Sequence, residues 1–192
     1  MNPIFQSDQY LLKRQAIALT GKLRFYSPSG DLLLFCEQKM FKLREDIRLY
    51  ADEQKTREVL AIKARQIVDF SAAYDVVDSA TGQKIGTLRR KGLKSILRDE
   101  WDVLDASDNI IGSLFEDNMG LAMLRRLIVG ALLPQNYDMT INNERVADLK
   151  QRFNLFRYEM DIDFSYDTTR KLDHRLGLAA ATLLAIVEGR QD

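Results

Sequence analysis

The chain has 192 residues, 46% of them hydrophobic, and its 28 basic and 28 acidic side chains cancel. That length can bury a real core, while the zero balance removes the long-range drive for non-specific nucleic-acid binding. Cys36 is the sole cysteine, which excludes an internal disulfide. Ile4 and Phe5 give way at once to Gln6, Ser7 and Asp8, without the basic-then-apolar plan of a signal peptide, so a cytoplasmic location is expected.

From Tyr10 to about Ile67 short apolar stretches alternate with turn residues. Lys22 to Tyr26 and Asp31 to Glu37 flank Ser27-Pro28-Ser29-Gly30, the chemistry of a hairpin turn. Ile47 to Tyr50 and Glu58 to Ile62 flank a polar run and predict a second hairpin. Cys36, within Leu32-Leu33-Leu34-Phe35, reads as a small buried hydrophobe rather than a reactive thiol. Between Lys39 and Asp46 the side chains of Met40, Phe41 and Leu43 suit either a strand or a connecting bend.

A repeat follows. Tyr74-Asp75-Val76-Val77-Asp78 leads through a polar turn into Ile85-Gly86-Thr87-Leu88, and Trp101-Asp102-Val103-Leu104-Asp105 leads likewise into Ile111-Gly112-Ser113-Leu114. A fainter third copy runs from Tyr137 to Ile141, through Asn142-Asn143, to Leu149. One hairpin unit used repeatedly implies an all-β scaffold. Gly86 and Gly112 hold equivalent strand positions, which predicts bulges or the close approach of another backbone. Tyr74 and Trp101 read as core aromatics.

Met119 to Leu133 is apolar except for Gly120, Arg125, Arg126 and Gly130. Each arginine would cost roughly 2.5–3.5 kcal/mol at a bilayer centre, so a spanning segment is rejected. The stretch reads as a helix packed on or across the barrel with both arginines snorkelling outward; an interfacial membrane helix is the sharper alternative. The last apolar run, Leu176 to Val187, is interrupted only by Thr182. It falls short of the about 20 residues of a membrane span and has the length of a buried core helix. With Asp167, Thr168 or Thr169 as cap and Gly189 as stop, it predicts a helix over about 168–188, about 30 Å long. Apolar on every side, this helix must be surrounded by protein.

Many strands and one wholly apolar helix have a simple geometric solution. Eight strands make a barrel that side chains alone fill, whereas roughly a dozen close around a helix. The expected architecture is therefore mainly β, a closed antiparallel barrel of about twelve strands around a buried C-terminal helix, with residues 1–192 as one domain. The hairpin repeats, the segment from Arg89 to Trp101 and the terminal helix together resemble the LURP-one-related and phospholipid-scramblase-like proteins of the tubby C-terminal-like superfamily. The resemblance implies the same barrel. It also puts two activities on the table, since tubby-like relatives bind phosphoinositides and scramblases are membrane-linked and calcium-dependent.

If the helix fills the lumen, any site lies on the wall, rims or loops. Arg89, Arg90, Lys91, Lys94 and Arg98 carry no acid among them and suit anionic phospholipid or phosphoinositide headgroups; a solvated strand end is the plain alternative. Asp161, Asp163 and Asp167 precede the terminal helix as the scramblases' calcium-binding acids do. Tyr166, however, stands where the tight turn of an EF-hand-like loop wants glycine, and Leu172 where it wants glutamate. His174, the lone histidine, reads as a rim-facing polar residue. No catalytic or cofactor motif emerges, so no cofactor, nucleic-acid partner or transmembrane span is expected. The expected function is a non-enzymatic binding or scaffold module, cytoplasmic and peripheral to anionic membranes. A protein-partner module without a lipid role and a scramblase-like transporter are the alternatives.

Overall fold

A computed structural model describes residues 2–15, 20–39, 46–65, 72–91, 100–117, 134–154 and 157–188. After a single 3₁₀ turn (Pro3–Phe5) come β1 (Gln9–Gln15), β2 (Thr20–Tyr26), β3 (Leu32–Lys39) and β4 (Ile47–Tyr50). Next are β5 (Glu58–Ala64), β6 (Ala73–Asp78), β7 (Lys84–Arg90) and β8 (Glu100–Leu104). The chain continues through β9 (Ile110–Glu116), β10 (Asn136–Ile141), β11 (Glu144–Arg152) and β12 (Arg157–Asp163) to α1 (His174–Glu188). Each strand pairs antiparallel with its neighbours in sequence, and β1 pairs with both β2 and β12, so the twelve strands close into a barrel. Residues 40–45, which suit either a strand or a connecting bend, and the apolar stretch of Met119 to Leu133 lie outside the described residues.

The predicted hairpin repeat is wider than its sequence signature. In β6–β7 Val76 pairs with Gly86 and Val77 with Lys84, so Ile85 is the extra residue of a bulge. In β8–β9 Ile111 takes that place, and in β10–β11 Val146. The same irregularity falls at Leu33 in β2–β3 and at Val59 in β4–β5. Leu33, Val59, Ile85 and Ile111 stand 26 residues apart in turn. A bulge bends its strand and strengthens the local twist, and one per hairpin supplies the curvature that closure needs. The two repeat glycines permit close backbone approach, as expected. A Cβ on Gly112 would stand 1.9 Å from the Thr140 carbonyl oxygen, and one on Gly86 2.4 Å from that of Leu104.

Inward-facing side chains such as Leu12, Phe25, Leu60, Leu88, Met139 and Met160 form one core with α1, on which every residue from Leu176 to Ile186 is buried. The helix approaches β6 and β7 on one side and β12 on the other, walls that face each other across the ring. It therefore occupies the lumen. Its N-terminus lies beside Phe164, just past β12, and the Ala185 carbonyl near its C-terminus accepts from Arg14 of β1. α1 starts later than predicted. Asp167 does not cap it but accepts from the Lys171 and Leu172 amides at 2.9 and 2.7 Å, and Arg170 has the left-handed φ of 53°. These fold 164–173 into a turn, and Asp173 is the cap, accepting from the Arg175 amide at 3.0 Å.

Candidate binding surfaces

With the lumen taken by α1, the candidate residues lie on the wall and the two ends. In each repeat an inward aromatic is followed by an outward aspartate that meets an arginine. Asp75 beside Tyr74 pairs with Arg65 at 2.7 Å, Asp102 beside Trp101 with Arg89 at 2.8 Å, and Asp138 beside Tyr137 with Arg145 at 2.5 Å. Tyr74, Trp101 and Tyr137 are buried, as core aromatics should be. Around the first pair Asp108 joins Lys84 and Arg65, whose cations hold its carboxyl well below the usual range. Burial, with Asp117 and Asp148 nearby, pushes the Asp138 carboxyl up despite Arg145.

The basic segment begins in this belt. Arg89 of β7 lies opposite Asp102 of β8 and donates to one carboxylate oxygen through Nε and Nη2, at 3.2 and 2.8 Å. Lys91 reaches Glu100 at 2.5 Å and Asp102 at 3.2 Å, and the Glu100 hydrogen bond raises its pKa. Arg90, opposite Trp101, is half-buried. Lys94 and Arg98 lie outside the described residues. The acids that neutralise Arg89 and Lys91 come from the next strand, nine or more residues on in sequence, which a scan for local charge runs passes over.

The acidic triplet does not converge. Asp161 is held by Arg152 through two hydrogen bonds of 2.7 and 2.6 Å. Asp163 accepts from the Ser165 amide at 2.9 Å, and Asp167 is buried and committed to its own turn. Among the described residues no three His, Cys, Asp or Glu side chains gather as a metal would require.

His174 is buried rather than rim-facing, 3% exposed. Its ring stacks on Phe164 at 4.2 Å, and Arg170 approaches Nε2 at 3.3 Å. Arg170 can only donate, so Nε2 accepts and the ring proton belongs on Nδ1. Burial, with Arg170 adding to it, lowers the His174 pKa. A cleft of ≈ 440 Å³ opens here between Phe5, Gln6 and the 170–174 turn. Cys36 is fully buried in the core, which pushes its thiol up to about 12, the inert hydrophobe expected.

These features define a class, the twelve-stranded up-and-down barrel with a helix in its lumen. Within it the family is clear: the LURP-one-related family model matches residues 32–181, and the chain belongs to that family. Comparisons with curated proteins and with solved structures give no match.

Proposed function

We propose that this protein is a non-enzymatic binding or scaffold module that works through the outside of its barrel. The observation that supports this reading is the occupied lumen: α1 takes the space in which a wider barrel would hold a small ligand. Its ligand is an anionic phospholipid surface, met by the basic segment that starts at Arg89 and continues through Lys94 to Arg98. Headgroup phosphates would compete with Asp102 and Glu100 for Arg89 and Lys91, and because Asp102 is buried they must outweigh the loss of its cations. No helix among the described residues is long and apolar enough to cross a membrane, in keeping with peripheral attachment. Co-sedimentation with phosphoinositide-containing vesicles is the test, and binding that weakens as salt rises is expected. A protein-partner module is the second reading, favoured by the same acid partners, which leave Arg89 and Lys91 nearly neutralised. It predicts no vesicle binding at any ionic strength.

A further inference from the structure

Residues 2–8 form a strap beside the mouth where α1 begins. Asn2 caps its 3₁₀ turn by accepting from the Ile4 amide at 3.2 Å, and Phe5, 2% exposed, enters the core. Tyr10 donates its hydroxyl to the Ile4 carbonyl at 2.8 Å, and its ring meets Phe164 edge-on at 5.9 Å. Phe164 in turn stacks on His174 and gives its amide to the Asp8 carbonyl at 2.7 Å. One cation joins these parts. Arg170 reaches Asp8 of the strap at 3.0 Å through Nη2 and His174 Nε2 at 3.3 Å through Nη1. The strap is thus tied to the first residue of α1 through a ring nitrogen that must keep its lone pair.

That nitrogen is a poor place for a proton. The groups facing the ring are Phe164, Asp167 and Arg170 from the 164–173 turn, and Asp8 with the Ser7 carbonyl from the strap. Both acids are already engaged, Asp8 by Arg170 and Asp167 by the Lys171 and Leu172 amides. Close by, Lys171 is paired with Glu144, and Arg175 with Asp173 and Asp78. Burial and Arg170 oppose a charged ring and outweigh the acids and the Ser7 carbonyl, so His174 titrates below 6.5. A proton on Nε2 would set two cations across the 3.3 Å that a hydrogen bond now spans. Arg170, its side chain 56% exposed, can turn to water. The buried imidazolium reaches water only through the adjacent cleft, a movement that takes it off Phe164.

We infer that His174 and Arg170 form a pH-sensitive latch on the barrel mouth: protonation of the ring expels Arg170 and frees the strap from the 164–173 turn. Acid then uncovers Phe5 and Leu172, both buried while the latch is closed. As the only histidine, His174 gives a single imidazole signal, so nuclear magnetic resonance reads its midpoint directly. In the full chain, protection of the Phe164 amide against hydrogen exchange, corrected for the intrinsic rate at each pH, should be lost with that same midpoint. The Asn142 amide, bonded to the Ile111 carbonyl at 2.9 Å in another turn, should keep its protection. His174→Gln should hold the Phe164 amide protected from about pH 7 to 5. Arg170→Gln should raise the ring midpoint and weaken Phe164 protection already at about pH 7. Titration of the ring with Phe164 still protected would overturn the latch, as would a ring that stays neutral down to acid unfolding. An unmoved midpoint in Arg170→Gln would do the same. Loss of Phe164 protection in His174→Gln would make Asp8 the sensor and overturn the inference.

Discussion

Lumen and wall of this barrel are held together by different physics. Inside, α1 and the inward strand faces form one apolar cluster whose energy comes from area removed from water and from close packing. Outside, the repeat aspartates sit in cross-strand ion pairs that remain partly wet, such as Arg89 with Asp102 or Arg65 with Asp75. The contrast teaches that the interior tolerates almost no change in chemistry, whereas the wall's cations stay half-exposed even where, as at Asp102, the acid they serve is buried.

The largest expected break is inside. Leu183, 1% exposed, belongs to the apolar core cluster, so Leu183→Asp should abolish the cooperative thermal transition by burying an unpaired charge. Truncation after Arg175 should do the same by emptying the lumen. A truncated protein melting cooperatively near the wild-type midpoint would sink the account of the core. Next comes Gly112→Ala, whose Cβ would meet the Thr140 carbonyl oxygen at 1.9 Å. Chemical denaturation should show a loss of about 1–3 kcal/mol, the usual cost of overpacking. Gly30→Ala, with open space around it but a positive φ, should cost less.

On the wall, Arg89→Gln alone should change stability by less than about 1 kcal/mol, because Lys91 still serves Asp102. Joined with Lys91→Gln it should cost about 1–3 kcal/mol, since a buried carboxylate then stands without its cations. Additive single effects would show that Asp102 draws little from either. The smallest expected effect sits where lumen meets mouth. His174 titrates below its usual 6.5 in the folded state, so the unfolded chain binds its proton first. Its contribution is complete above about pH 6.5 and is lost as pH falls through the lowered folded value. His174→Gln should flatten the stability profile of the wild type between about pH 7 and 5; parallel profiles would place the slope elsewhere.

Much of this was legible in the chain. The terminal helix declared itself because a twelve-residue run that is apolar but for Thr182 admits only burial, and its fit to a wide barrel followed from diameters. The aromatic–Asp and Ile–Gly repeat marked three hairpins, and Gly86 and Gly112 announced a close backbone contact without naming Thr140 or Leu104 as its source. The first two hairpins were legible as hairpins but not as copies of the repeat, because Leu33 and Val59 share the spacing but not the residue types of Ile85 and Ile111. The helix start was set six residues early because Asp167, Thr168 and Thr169 are all good caps by composition, and only the left-handed Arg170 decides against them.

What the sequence by itself determined was local and periodic: which residues alternate, which run is apolar throughout, where turn chemistry stands. Tertiary structure alone decided the pairings across strands. Closure brought Asp102 and Glu100 onto Arg89 and Lys91, set Phe164 over His174, and kept Asp161, Asp163 and Asp167 apart. The physical reason is that side-chain period and turn propensity act over a few residues of one strand, while charge partners are properties of register and closure, which exist only once all twelve strands have met.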